Sequence, residues 1–363
     1  MDQTKKIKMR KDALYDIVTV SSMGVRLTPE NRQPVEAGGP FMLQSTSAET
    51  NVLNVSASLG LKTLVLTRFV EGSPIAAYIK GELRKRNIAY IGPDVPQGGP
   101  WGYRHQFNIA DSGFGLRGPV VHNDRAGEVG RTIDAADYDL KQIFEIDGAR
   151  ILHLSGLIAS MSESTTKACL DVARTAKANG TLISFDLNYR ASFWKGRENE
   201  LRRDFTEIAS LSDILIGNEE DFQLALGIEG PEAGGRDLAA KTDSFKEMIT
   251  RVQKRFPNVS IYAATLREVI TANTHLWGGI ISAEGSWYVE KPREIPVLDR
   301  IGGGDGFVGG MLYALLKGYG PDEALKYGWA SGALATTMLT DYASPVSEQQ
   351  LKNIYGGNAR VKR

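Results

Sequence analysis

The chain of 363 residues is long enough to bury a large core, and its 42% hydrophobic and 24% charged residues are ordinary for a globular protein. Basic and acidic residues number 43 each, which disfavours a nucleic-acid or membrane-surface partner, because such partners need a local excess of positive charge. The polar N-terminus, the lack of an apolar run near the ~20 residues of a membrane span, and the single cysteine, Cys169, together indicate a cytoplasmic protein without disulfides, and the spacing of the four histidines predicts no transition-metal site.

Buried strands alternate with amphipathic helices along most of the chain. This βαβ alternation predicts an α/β fold with a mostly parallel sheet. Cys169 falls on the apolar face of one of these helices, so we expect it in the core. The expected strands begin at Asp16, Lys62, Ala89, Ala149, Thr181, Asp213 and Ser260, and the expected helices include 75–86, 163–177 and 323–339.

Two stretches interrupt this alternation, at about residues 22–45 and 96–127. The first is polar, carries prolines and turns at Gly38-Gly39. The second contains glycines and short alternating segments, a pattern compatible with strands of a small separate sheet or with a long surface hairpin. Both stretches are expected to be insertions in one α/β domain that covers residues 1–363.

A helix that ends at Gly60 follows the first of these stretches. Thr46 and Glu49, three residues apart, have the spacing of a capping box, in which each side chain accepts a hydrogen bond from the other residue's backbone N–H. Such a pair would account for both residues without any ligand.

Polar side chains follow two of the expected strands. Asp186, Asn188 and Arg190 alternate after an apolar run, and Asn218 and Asp221 follow the next strand. Ligands bind at the carboxyl ends of the strands in open α/β sheets, so these side chains predict a binding site. Two structural alternatives exist: an Asp186–Arg190 salt bridge, and N-capping of the next helix by Asn218.

Three consecutive glycines, Gly302 to Gly304, lie between Asp299 and Asp305 and open an apolar helix that ends at Gly318. Glycine lets backbone N–H groups face a ligand, and a helix N-terminus adds a partial positive charge, so the segment predicts an anion site. A carboxylate there repels an anion; we interpret Asp305 as the base that deprotonates a hydroxyl attacking a phosphoryl group. The alternative is a tight turn with Asp305 as a helix cap. The segment has neither Walker A nor Rossmann spacing.

The segment Asp-Arg-Ile-Gly-Gly-Gly-Asp before an apolar helix resembles the signature of the ribokinase-like PfkB carbohydrate kinases, and within that family it resembles 2-keto-3-deoxygluconate kinases. The resemblance implies a doubly wound, mostly parallel sheet flanked by helices, with a small β-sheet lid formed by about residues 22–45 and 96–127. It implies ATP and Mg²⁺ as cofactors and leaves a monovalent cation open as a third. Because exposed lid strands often pair, we expect a homodimer through the lid.

The resemblance also assigns roles to individual residues. The anion hole falls on Gly302, Gly303 and Gly304, and the catalytic base on Asp305. An arginine that meets the substrate's carboxylate corresponds to Arg125. Arg190 corresponds to an arginine that helps bind the sugar acid, and a planar guanidinium suits a carboxylate because it can form two parallel hydrogen bonds. The remaining substrate-binding positions are Asn51, Asp186 and Asn188.

The nucleotide side of the site is assigned in the same way. Asn218 and Asp221 match an Asn-x-x-Glu segment that arranges magnesium and phosphates through water, with aspartate in place of glutamate. Thr265 and Arg267 match a nucleotide-facing stretch, in which Arg267 would reach the phosphates of ATP.

The largest departure from the family pattern lies at Ser45 to Ser47, where the family has two glycines that approach the sugar. The favoured function is transfer of the ATP γ-phosphoryl group to a hydroxyl of a small-molecule sugar acid, 2-keto-3-deoxygluconate or a similar acid. The alternatives are a kinase for another sugar, such as fructose or ribose, and a non-catalytic sugar- or nucleotide-binding homologue.

Overall fold

The structure is a computed structural model that describes residues 7–230 and 238–360. Strands and helices alternate through most of this part of the chain, as predicted. In chain order the strands are β1 (Tyr15–Val20), β2 (Gly24–Pro29), β3 (Phe41–Thr46), β4 (Thr63–Leu66), β5 (Phe69–Val70), β6 (Ile88–Ile91), β7 (Asp94–Val95), β8 (Gln106–Asp111), β9 (Val120–Asp124), β10 (Ala149–Ser155), β11 (Leu182–Asp186), β12 (Ile214–Ile216), β13 (Ile261–Thr271), β14 (Thr274–Ala283) and β15 (Ser286–Pro296).

Nine of these strands form the main sheet, in the order β15-β14-β13-β12-β11-β10-β1-β4-β6. Every neighbouring pair from β13 to β6 is parallel, and β14 and β15 add an antiparallel edge. Parallel neighbours need crossover connections, which the helices supply. The predicted doubly wound, mostly parallel α/β fold is therefore confirmed.

Helices cover both faces of this sheet. The strand β1 shows the two faces directly, since Ile17 packs in one apolar core while Val18 and Val20 pack in the other. Cys169 is buried in the second core, as predicted. The helices are α1 (Ala48–Ser58), α2 (Pro74–Lys85), α3 (Gly156–Ser160), α4 (Glu163–Ala178), α5 (Ala191–Trp194), α6 (Glu198–Leu211), α7 (Glu219–Leu226), α8 (Leu238–Arg255), α9 (Gly303–Leu316), α10 (Pro321–Ala335) and α11 (Glu348–Tyr355). Among the described helices none has the length and apolar character needed to cross a bilayer.

A separate sheet of four strands has the order β3-β2-β8-β9. The strand β2 pairs antiparallel with β3 and parallel with β8, and β8 pairs antiparallel with β9. Because β8 has a partner on each side, the alternative of an isolated surface hairpin at residues 96–127 is wrong. We call this element the small sheet; it brings together residues 24–46 and 106–124 across the opening of the fold.

The N-terminus of α1 differs from the prediction. Ser47 is the N-cap, because its hydroxyl accepts a hydrogen bond from a backbone N–H of the first turn at 3.1 Å. Glu49 is fully buried and accepts hydrogen bonds from the hydroxyls of Ser21, at 2.5 Å, and Ser155. The predicted Thr46–Glu49 capping box is wrong because both side chains have partners that are distant in sequence.

Two tryptophans fix the packing of β14 against α10. The indole N–H of Trp277 donates to the carbonyl of Trp329 at 3.1 Å, and the indole N–H of Trp329 donates to the carbonyl of Trp277 at 2.8 Å. Both buried donors are thereby satisfied. The outer edge of the Trp277 ring lies 3.8 Å from the position that a Cβ at Gly303 would take, so this ring supports the start of α9.

Candidate active site

The carboxyl ends of the central strands and the inner face of the small sheet enclose a cavity of about 690 Å³. The small sheet contributes Gln106, Asn108 and Ala110, and the start of α9 lies opposite. Every site residue expected from the sequence lines this cavity, except Gly303, which is buried. Side chains that are spread over residues 51–305 thus meet in one space.

The start of α9 has the geometry of an anion site. Gly302 has φ of 82°, and a Cβ there would lie 1.7 Å from the backbone oxygen of Asp341, so only glycine fits. The backbone N–H groups of Gly303, Gly304 and Asp305 have no acceptor within the described part of the chain. A Cβ at Gly304 would meet nothing within 4 Å, which shows that the cavity opens directly onto these donors. Such a helix start binds phosphate without further groups.

The carboxyl group of Asp305 lies beside these donors. Its Oδ2 accepts a hydrogen bond from Nδ2 of Asn51 at 2.8 Å. No side chain caps α9, so the alternative role of Asp305 as a helix cap is wrong. Burial, opposed by the Asn51 hydrogen bond and reinforced by the negative charge of Asp186, raises the pKa of Asp305 to about 8. A carboxyl that exchanges its proton near neutral pH is suited to general base catalysis.

The segment after β11 holds acceptors ready for a ligand. Asn188 has φ of 36°, a left-handed conformation that is uncommon outside glycine and often marks a functional site. Its Oδ1 is buried and has no hydrogen-bond partner among the described residues. Burial and the nearby charge of Asp221 raise the pKa of Asp186 to about 7. The Asp186–Arg190 salt bridge is not formed, and Arg190 donates to the carbonyl of Tyr189 at 2.8 Å instead.

Asp221 joins the two loops that follow β11 and β12. One of its carboxylate oxygens accepts from the backbone N–H of Tyr189, and the other from that of Asn218, both at 2.8 Å. Asn218 caps α7, since its Oδ1 accepts from the backbone N–H of Glu220 at 2.8 Å. The capping interpretation of Asn218 is therefore confirmed. Burial raises the pKa of Asp221.

Arginines dominate the charge around the cavity. Arg190, Arg267 and Arg300 form no ion pair with any carboxylate within residues 7–230 and 238–360, whereas Arg125 pairs with Glu128 at 2.8 Å. Loss of hydration and repulsion from Arg300 and Arg190 lower the pKa of Arg267 to about 10. Clustered guanidinium groups without carboxylate partners are an electrostatic site for an anionic ligand.

Sequence reasoning missed three charged residues of the cavity. Arg300 stands in the quoted glycine motif, directly before the turn, and that position was the available signal. Arg26 and Asp341 line the cavity from opposite ends of the chain, and no local pattern distinguishes them.

Two of the three side chains at Ser45 to Ser47 are held by hydrogen bonds to other residues of the protein. All three residues are buried. The hydroxyl of Thr46 donates to Oδ2 of Asp341 at 2.6 Å, and the hydroxyl of Ser47 caps α1. Thr46 and Ser47 are thus bonded to protein and also line the cavity. Ser45 does not line it, and its buried hydroxyl has no hydrogen-bond partner among the described residues.

Comparisons with known proteins agree with this geometry. Residues 132–347 match the pfkB family of carbohydrate kinases. The chain is 25% identical to the 2-dehydro-3-deoxygalactonokinase of Haloferax volcanii over 96% of its length and 99% of that protein. It is 28% identical to a 5-dehydro-2-deoxygluconokinase of Clostridium botulinum, with 90% and 89% covered. The crystal structure of 2-dehydro-3-deoxygluconokinase from Thermotoga maritima superposes with a TM-score of 0.85 at 26% identity, covering 94% of this chain and 100% of that one.

Proposed function

The chain belongs to the pfkB family of carbohydrate kinases, and from that premise we propose that it transfers the γ-phosphoryl group of ATP to a hydroxyl of a keto-deoxy sugar acid. The acceptor is 2-keto-3-deoxygluconate or a similar acid. One observation carries the proposal: at the start of α9, backbone donors without acceptors lie beside the Asp305 carboxyl in an arginine-lined cavity. Membership in a family of carbohydrate kinases favours an enzyme over the non-catalytic alternative.

In the proposed reaction, Asp305 accepts the proton of the substrate hydroxyl while the hydroxyl oxygen forms its bond to the γ-phosphorus. The bond between that phosphorus and the bridging oxygen of ADP breaks. The free N–H groups of Gly303 and Gly304 stabilise charge on the transferring group. Asn51 holds the carboxylate by its 2.8 Å hydrogen bond, which keeps one oxygen of Asp305 aimed at the substrate. General base catalysis of this kind contributes about 10²–10⁴ in rate.

The charge of the cavity also suits a nucleoside triphosphate. Arg267 and Arg300 offer guanidinium groups without carboxylate partners, and Thr265 lines the same wall. Both oxygens of Asp221 are already bonded to backbone N–H groups, those of Tyr189 and Asn218. This suits a magnesium ion held by phosphates and water, with Asn218 and Asp221 acting through water. Bound magnesium would neutralise the triphosphate.

The acid end of the substrate is assigned to Arg190. This guanidinium lines the cavity and has no carboxylate partner in the described part of the chain. A substrate carboxylate can therefore form an ion pair with it. Arg125 also lines the cavity but is bonded to Glu128, so it would have to share its donors. The free amide oxygens of Asn51 and Asn188 can accept from sugar hydroxyls. The names of the relatives, which are kinases of dehydro-deoxy sugar acids, support the same substrate class.

We assign the small sheet as a lid that keeps water from competing for the phosphoryl group. Its inner face lines the cavity, while its outer face leaves Phe41, Leu43 and Val120 exposed at 38%, 37% and 60%. We propose that two such outer faces meet in a homodimer, since exposed apolar sheet faces seek a partner. Sedimentation of wild type and of Leu43→Arg tests this: a dimer that the substitution dissociates supports it, and a monomeric wild type contradicts it.

A coupled ADP-release screen with purified protein, ATP and magnesium tests the function. The acceptors are 2-keto-3-deoxygluconate, 2-keto-3-deoxygalactonate, 5-keto-2-deoxygluconate, fructose and ribose, each with and without potassium. We expect turnover with at least one acid and little with the neutral sugars. If only fructose or ribose is phosphorylated, the protein is a kinase for a neutral sugar and the acid assignment is wrong. If ligands shift the melting temperature but no ADP is released, phosphoryl transfer is contradicted.

A further inference from the structure

A buried arginine of the small sheet reaches across to the loop that carries the glycine turn. Arg26 lies in β2 and is 1% exposed. Its Nη2 donates to Oδ2 of Asp299 at 2.5 Å, and its Nη1 donates to Oδ1 of Asp341. Both acids are also buried. The fork of one guanidinium thus bridges two carboxylates that belong to different segments of the main domain.

The two acids flank the glycine turn and define its shape. Oδ1 of Asp299 accepts from the backbone N–H of Ile301 at 3.0 Å. The backbone oxygen of Asp341 lies directly against Gly302, in the place where a Cβ would come within 1.7 Å. Any displacement of either acid would therefore move the backbone donors of the turn.

The small sheet supplies the remaining partners of both carboxylates. Ser112, which follows β8, donates to Oδ2 of Asp299 at 2.7 Å, and Thr46 of β3 donates to Oδ2 of Asp341 at 2.6 Å. All four carboxylate oxygens are satisfied in this way. Without the arginine, two buried negative charges would remain next to the place where a phosphoryl group arrives, a costly arrangement.

We propose that Arg26 is a positioning residue that holds Asp299 and Asp341 on either side of Gly302, so that the seated small sheet fixes the glycine turn for phosphoryl transfer. This inference rests on the proposed function of the turn. Arg26 also cancels one of the two negative charges beside the cavity, which lowers the repulsion against the transferring group. Loss of Arg26 should therefore lower kcat, while the sugar acid, which other residues hold, should bind about as tightly as in wild type.

The first test uses Arg26→Ala and the acceptor found in the screen. We expect kcat to fall about 100-fold, as for a reacting group displaced by an ångström, with little change in KM for the acid. Because Arg26 lines the cavity, a small ion can enter the space it leaves. Millimolar guanidinium should restore part of kcat, whereas urea, which has the same planar shape without the charge, should not. A variant that keeps wild-type kcat overturns the proposal, and so does equal recovery with urea.

The second test uses Arg26→Lys, which keeps the charge but cannot form the fork, and remains informative if the alanine variant does not fold. We expect a folded protein with kcat lowered about tenfold or more, because one carboxylate loses its charged hydrogen bond. Wild-type kcat in this variant overturns the role of the fork. A wild-type protein without kinase activity towards any acceptor would instead refute the proposed function, so the two failures are distinguishable.

Discussion

The two ends of the cavity are built in different ways. At the phosphoryl end, a contiguous segment from Gly302 to Asp305 supplies backbone donors and one carboxyl group. At the sugar end, side chains arrive from three separate stretches, residues 45–51, 106–125 and 186–190. Some of those side chains are bonded to acids outside these stretches, as Thr46 is to Asp341 and Arg125 to Glu128. The reaction type is therefore encoded locally, whereas substrate choice depends on tertiary contacts.

The largest expected effect is at the phosphoryl end. Asp305→Asn should lower turnover by about 10²–10⁴, because the amide cannot take the proton of the attacking hydroxyl. Calorimetry should show ATP binding retained. Near-normal turnover would mean that another group is the base, and equal loss of ATP binding would mean that the site had collapsed.

The same variant gives a stability test with a defined sign. The pKa of Asp305 is raised from 3.8 to about 8, so between these values the folded protein holds a proton that the unfolded chain releases. Wild-type stability therefore decreases as pH rises through this window. Asp305→Asn avoids this loss and should melt at a higher temperature than wild type at pH 8, with a smaller difference at pH 5. A pH-independent difference would contradict the raised pKa.

Two neighbouring glycines should respond differently to the same change. Gly302→Ala places a Cβ 1.7 Å from the backbone oxygen of Asp341 at a φ of 82°, so we expect a lowered melting temperature together with lost activity. Gly304→Ala meets no atom within 4 Å, so the fold should keep its melting temperature while the methyl group obstructs the anion site and lowers kcat. Equal melting temperatures for the two variants would contradict the geometry of the turn.

At the sugar end the expected effect is smaller. Arg190→Ala should raise KM for the sugar acid about 10- to 100-fold, the equivalent of a charged hydrogen bond worth roughly 1.5–3 kcal/mol. KM for ATP should change little. Arg203→Ala is the matched control, since that arginine is exposed on α6 and pairs with Asp204. If KM for the sugar acid is unchanged in the Arg190 variant, Arg190 does not bind the carboxylate, and Arg125 becomes the candidate for that contact.

A further effect comes from titration alone and needs no substitution. Since Asp305 must be ionised to act as the base and its pKa is about 8, kcat should increase with pH, about tenfold per unit well below that value, and level off above it. Rapid-quench measurement of the chemical step from pH 6 to 9 checks this. A flat profile of the chemical step would contradict a base with a pKa of about 8 at Asp305.

The features that could be predicted from the sequence are those that produce a local sequence pattern. The strand and helix alternation gave the α/β fold, and the glycine motif located Asp305 and the free N–H groups. The capping box at Thr46 and Glu49 was wrong because each side chain has a partner in another segment. Arg26 was missed for the same reason, since it is 315 residues from Asp341 along the chain. Buried polar contacts between residues so far apart in the sequence produce no periodic pattern that could be recognised.

The reciprocal indole–carbonyl hydrogen bonds between Trp277 and Trp329 hold two buried fluorophores in place, so intrinsic tryptophan fluorescence can be used to follow binding. The Trp277 ring is buried and lies 3.8 Å from the position that a Cβ at Gly303 would take, so a phosphate bound at the start of α9 is expected to change the electric field at this ring. Trp101, with 98% of its surface exposed, is accessible to acrylamide and can be quenched selectively. The emission that remains comes from Trp194, Trp277, Trp287 and Trp329, and its Trp277 component is expected to report phosphate binding without an added dye.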